Sequence, residues 1–180
     1  MKLEFGCGDK PRKTKEGFLG VDIRKFSNVT YVCKAWEIID YVPENSVSEI
    51  YSRHFLEHLT WAQVDLTLSA WYKILKPGGT CQIIVPDMLF HIKQWMNPNR
   101  KTTFTKRTGD SPISDEEWGK KGFFGGQRGS IDDIWDIHKS GYDLNLITDL
   151  LSDKGFEDIK RLKGASKNLD IVCSKGFTHK

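Results

Sequence analysis

Cysteine is scarce and scattered in this chain. Cys7, Cys33, Cys81 and Cys173 form no C-x-x-C pair and no dense framework. That pattern points to reduced thiols in a cytoplasmic compartment rather than to a disulfide scaffold. Long apolar runs are missing too. No stretch approaches the roughly 18 residues of a membrane span. The N-terminal MKLEFGCG lacks the apolar core of a secretion signal. Neither sign of charge dominates: 27 Lys and Arg against 24 Asp and Glu leave a net +3, which does not demand a polyanionic partner. With no internal repeat and no evident linker, the 180 residues read as one domain.

What is present is an alternation of short apolar strands with helical stretches. LEFG runs into a glycine turn, and FLGVDI (18–23), NVTYVC (28–33) and SVSEIYS (46–52) read as three further strands. Thr60 followed by Gln63 has capping-box spacing. Val64, Leu68, Trp71 or Tyr72, and Leu75 then recur at helical intervals until KPGG ends the run. TCQIIVPD (80–87) is apolar enough for a sheet covered on both faces. A helix near 88–96 opens a long polar excursion over 88–142. YDLNLITDLLSDKG gives a last amphipathic helix, and strands near 157–162 and 168–174 close the chain. This order predicts an α/β fold with a mostly parallel sheet and helices on both faces.

Gly6 and Gly8 in FGCGD end the first strand, where paired glycines let backbone approach a ligand. The second strand ends at Asp22, in place to meet ribose hydroxyls. The full dinucleotide fingerprint is missing, so an adenosine ligand without a pyrophosphate fits better.

At these residues the chain resembles class I S-adenosylmethionine-dependent methyltransferases. The ordered set LEFGCGD, GVDI, HFLEHL, ILKPGG, VPD and a later GF is similar to the small, glycan-associated type 11-like branch. The resemblance implies a single Rossmann-like domain with an antiparallel final strand and S-adenosylmethionine as cofactor. Phe5, Gly6, Cys7 and Gly8 would wrap its methionine and sugar, and Asp22 would bind the ribose. Cys33, Lys34, Ala35 and Trp36 would border the adenine, and Ser52 and Arg53 would lie near the methyl group. Lys34 stands where relatives often carry an acid, and an ammonium cannot accept a hydrogen bond from the adenine amino group.

His54, Glu57 and His58 match H-x-x-E-H, the helix pattern of one class of zinc peptidase. The match falls where a strand ends, ahead of the helix capped at Thr60, so a peptidase ranks last and no metal ligand is assigned. His54 is read either as a hydrogen-bonded core histidine or as a substrate-facing base. Histidine, as a residue type, titrates near neutrality and suits proton removal from a hydroxyl acceptor. Asp87 in VPD and His138 in DIHKSGYD are the other candidate bases, and the resemblance also places a histidine near His138.

A sugar or glycan hydroxyl is the leading acceptor, with Phe123, Phe124, Gln127 and Tyr142 as substrate contacts. Another small molecule or RNA, and a non-catalytic cofactor-binding role, stand behind it. The absence of an N/D-P-P-Y/F segment argues against adenine and glutamine amino groups. The absence of a recognisable nucleic-acid module argues against that partner.

Overall fold

The computed structural model describes residues 1–9, 14–97, 115–125, 135–164 and 167–177. Seven strands form one sheet: β1 (Lys2–Phe5), β2 (Leu19–Asp22), β3 (Val29–Val32), β4 (Val47–Arg53), β5 (Leu75–Pro86), β6 (Phe156–Arg161) and β7 (Asn168–Lys175). Their spatial order is β3-β2-β1-β4-β5-β7-β6. The first five are parallel, whereas β7 runs antiparallel to both β5 and β6. This is the mostly parallel α/β sheet that the element order predicts, with the Rossmann-like arrangement and antiparallel final strand that the resemblance implies.

Among the described residues there are four helices, α1 (Trp61–Ile74), α2 (Met88–Met96), α3 (Asp115–Phe124) and α4 (Leu144–Asp153); α4 packs on β6, and α3 packs on α2. Short 3-10 turns occupy Ala35–Asp40 and Leu56–His58. The start of α1 follows its local code. Thr60 Oγ1 accepts from Gln63 N at 3.4 Å, and Gln63 Oε1 accepts from Thr60 N at 2.9 Å. The apolar stripe Val64, Leu68, Trp71 and Ile74 is fully buried. Trp71 lies 4.8 Å from Phe5 and 6.4 Å from Phe55, ring centre to ring centre, and so joins the helix to the strand ends.

One boundary differs from the sequence reading. Leu75 opens β5 instead of ending the helix, and KPGG lies inside the strand. The pairing with β4 slips between Val47↔Leu75 and Glu49↔Thr80, and Gly78 takes φ 75° at that irregularity. Glycine adopts this left-handed backbone without the steric cost of a side chain.

The chain winds outward from β1 in two directions, through β2 to β3 and through β4 to β5. A crevice therefore opens beyond the carboxyl ends of β1 and β4, where open α/β sheets bind ligands.

Candidate functional site

A cleft of about 200 Å³ lies in that crevice. Phe5 and Gly6 form its floor, Asp22 to Arg24 and Cys33 to Trp36 one wall, and His54, Phe55, His58, Leu59 and Gln63 the opposite wall. Trp135, Asp136 and Lys139 approach from the far segment.

The glycine turn is fixed by sterics and by its neighbours. Gly6 has φ 65°, and a Cβ there would stand 2.5 Å from the Phe55 ring. Gly8 has φ 64° with nothing within 4 Å of the position of a Cβ. Glycine is thus required at Gly6 by backbone and space together, and at Gly8 by backbone alone. Asn28 Nδ2 donates to Gly8 O at 3.1 Å and holds the turn. Cys7 is fully buried, with its thiol against Gly20, so its side chain is directed away from the cleft.

Asp22 is buried at the end of β2. Its Oδ2 accepts from Gly8 N at 3.0 Å, and its Oδ1 accepts from Arg24 N at 2.9 Å and Arg24 Nε at 3.3 Å. A carboxylate offers about four acceptor directions. These bonds use three, which leaves one on Oδ2 for a ribose hydroxyl. The Arg24 side chain is substantially exposed and can yield a second.

Cys33 continues this wall, its N–H donating to Asp22 O at 3.2 Å. Burial, followed by the charges of Glu37 and Asp40, pushes the Cys33 thiol up to about 11. Lys34 turns its amine to Glu37 Oε1 at 2.7 Å, and its Nζ also lies 5.8 Å from the Trp36 ring centre. Half-buried Trp36 packs on the core while lining the cleft.

The opposite wall is built where β4 ends. His54 has φ 51°, a conformation that costs a non-glycine residue about 1–3 kcal/mol. Its N–H donates to Ile84 O at 2.8 Å, which holds the strained residue at the sheet end. His54 Nδ1 lies 3.0 Å from Glu57 Oε1. Glu57 is 1% exposed, whereas the His54 side chain is 37% exposed and lines the cleft. A carboxylate only accepts, so this contact places the Nδ1 proton and leaves Nε2 as the free nitrogen. The strained residue and the following 3-10 turn exclude the continuous helix that a peptidase H-x-x-E-H motif requires.

Behind His54, His58 Nδ1 lies 3.2 Å from Ile137 O, and His138 Nδ1 lies 2.9 Å from Gly122 O. The two rings meet edge to face at 5.1 Å. Burial is the main cause that lowers the His138 pKa, with the Gly122 carbonyl opposing it.

Several residues singled out from the sequence lie elsewhere. Asp87 caps α2: its Oδ1 accepts from Leu89 N at 3.0 Å and Phe90 N at 3.4 Å, and its Oδ2 from Arg161 Nη2 at 3.2 Å. Those bonds and its burial outside the cleft replace the catalytic reading of Asp87 with a capping one.

Tyr142 is fully buried, with its hydroxyl 2.8 Å from Ser140 Oγ and 3.3 Å from Leu56 O. It supports the strand-end turn and does not contact the cleft, which corrects its reading as a substrate contact. Burial also raises its pKa beyond the ordinary tyrosine range. Ser52 is fully buried, and exposed Arg53 lies outside the cleft, so neither side chain lines it. Phe123 and Phe124 pack on Trp95 of α2, at 5.0 and 6.2 Å between ring centres, and are not among the lining residues. Gln127 lies outside the described residues.

The sequence reading missed Arg24, Trp135 and Lys139. Arg24 could have been noticed beside Asp22. Trp135 and Lys139 reach the cleft only through tertiary contacts: Lys139 N donates to Glu57 O at 2.7 Å, and the Arg24 guanidinium lies 5.8 Å from the Trp135 ring centre.

No protein-family model matches the sequence, and no curated protein matches it. Solved structures with this architecture do match. One is an S-adenosylmethionine-dependent methyltransferase from Archaeoglobus fulgidus, with TM-score 0.59 and 18% identity, covering 97% of this chain and 85% of that one. A second is the 1,6-didemethyltoxoflavin N1-methyltransferase of Burkholderia thailandensis, with TM-score 0.56 and 13% identity, covering 97% and 70%. A third, from Methanosarcina mazei, is also an S-adenosylmethionine-dependent methyltransferase, with TM-score 0.54 and 13% identity, covering 98% and 92%. At these identities the likeness establishes the shared fold.

Proposed function

We propose that the chain is an S-adenosylmethionine-dependent methyltransferase acting on a hydroxyl of a sugar or glycan. The observation that carries this reading is the pairing of two half-sites across one cleft. Gly6 and Asp22 line the cleft on the cofactor side, with Gly8 holding Asp22 from outside the lining, and His54, held by Glu57, lines the other side.

The residues present fit the cofactor. The open space beside Gly8 admits a ligand against backbone, and Asp22 keeps an acceptor direction for a ribose hydroxyl. Cys33 to Trp36 offer a mostly apolar wall for adenine. When bound, the sulfonium supplies an activated methyl group and a good leaving group.

The chain's contribution is alignment and proton handling. The cleft walls would hold the acceptor hydroxyl beside the bound cofactor and exclude competing water. His54 Nε2 would take the proton of the acceptor hydroxyl. Glu57 Oε1 holds the ring by its Nδ1–H and stabilises the resulting imidazolium. Half-exposed Trp135 on the cleft wall supports a sugar acceptor, because an indole face can cover the apolar side of a pyranose.

The four free, buried cysteines support a reducing, cytoplasmic setting for this single methyltransferase unit. Among the described residues no helix is long and apolar enough to cross a membrane.

A methyl-transfer screen with radiolabelled cofactor across nucleotide sugars, oligosaccharides, small amines and RNA tests the proposal. Label in a sugar hydroxyl supports it. Label confined to amines or RNA overturns the acceptor class, and no cofactor binding by calorimetry overturns the whole reading.

A further inference from the structure

Next to the cleft, Glu57, His58 and His138 each present one ligand-type atom, and these atoms lie within 4.8 Å of one another. Backbone carbonyls decide which nitrogen each histidine offers. A carbonyl only accepts, so in the neutral rings the proton sits on His58 Nδ1, facing Ile137 O, and on His138 Nδ1, facing Gly122 O. Nε2 of each ring keeps its lone pair. Metal-binding histidines are commonly held this way, with the second ring N–H donated to a carbonyl or carboxylate that fixes tautomer and orientation.

Glu57 supplies an independent observation. Its side chain is 1% exposed and Oε1 faces His54, yet Oε2 is buried with no hydrogen-bond partner among the described residues. A buried carboxylate oxygen without a partner is costly and uncommon. A cation beside it removes that cost.

We infer that Glu57, His58 and His138 form a binding site for one first-row divalent transition ion of the zinc class. Two imidazoles and one carboxylate suit such an ion, whereas magnesium and calcium prefer oxygen ligands alone. Tetrahedral bonds of about 2.0–2.2 Å place ligand atoms roughly 3.3 Å apart, so no pair has to close by more than about 1.5 Å. The backbone already holds the two segments together: Glu57 O accepts from Lys139 N at 2.7 Å and from Ser140 N at 3.2 Å. The ion adds a clamp between the turn after β4 and the Ile137–Ser140 segment. This set differs from the peptidase pattern, because His54 uses the other Glu57 oxygen and is not a ligand.

The test uses the full chain, stripped with chelator and titrated by calorimetry with zinc chloride and, separately, with magnesium chloride. The expected result is one equivalent of zinc bound, no magnesium bound, and a thermal midpoint that rises with zinc. His58→Asn and His138→Asn should each weaken zinc binding by at least about 100-fold. X-ray absorption of the zinc-loaded wild-type chain gives a reading independent of whether the variants fold, with two imidazoles expected in the ligand shell. Failure of the wild-type chain to bind zinc stoichiometrically overturns the site. So does a shell without imidazole, or undiminished binding in the folded variants, which places the ion elsewhere.

Discussion

The backbone N–H of Gly8 donates to Asp22 Oδ2 at 3.0 Å, joining the turn after β1 to the end of β2. Asp22 holds the glycine turn in place, and in the proposed function it also offers its remaining acceptor direction to the ligand. Asp22→Ala should weaken S-adenosylmethionine binding by about 10- to 100-fold, the range for losing a hydrogen bond to a charged group. It should also lower the thermal midpoint, since Gly8 N and Arg24 lose their acceptor. Calorimetry on the folded variant decides the binding claim, and unchanged affinity would remove Asp22 from the cofactor site.

The two glycines of the turn should respond differently to alanine. Both variants carry the left-handed strain, about 1–2 kcal/mol. Gly6→Ala must in addition displace Phe55, which packs on Trp71, so its stability loss should be clearly the larger. Gly8→Ala meets open space, so it should remain folded while losing cofactor affinity. Thermal melts paired with binding titrations separate the two. Equal stability losses would contradict the packing argument.

His54 and Asp87 should separate chemistry from stability. His54→Gln is expected to slow single-turnover methyl transfer by about 100-fold or more, the usual contribution of a positioned base, while cofactor affinity changes little. Asp87→Asn should leave that rate nearly intact. Its effect should fall on stability, because the Arg161 partner loses its countercharge and the N-terminus of α2 loses a negative charge, although the asparagine oxygen can still cap. The reverse pattern would make Asp87 the base.

The cysteines should be slow to react. Cys33 borders the cleft, but with its thiol pushed up to about 11 only about one molecule in a thousand carries a thiolate at pH 8. Cys7, Cys81 and Cys173 are fully buried or nearly so. A thiol reagent at pH 8 should label the native protein slowly and the denatured protein at all four positions. Rapid labelling of native Cys33 would show that its environment is more open or less negative than the structure has it.

The residues of the chain, taken in order, determined the features that depend on near neighbours. The capping pair Thr60 and Gln63, the stripe from Val64 through Leu68 to Trp71 and the glycine turn before Asp22 are local, because helix periodicity, strand alternation and left-handed backbone act within a few residues. The tertiary structure decided what each polar group faces. Asp87 stands beside a strand end, as its position in the chain suggests, but the antiparallel β6–β7 pair brings Arg161 onto it and makes it a cap. Tyr142 is buried because an isolated bridge to Asp87 draws it under the Leu56 carbonyl. Glu57 and His138 share one polar cluster because Lys139 and Ser140 bind the Glu57 carbonyl across the fold. Such contacts join residues far apart in the chain, so no spacing rule records them. They are set by how the sheet and its connections pack.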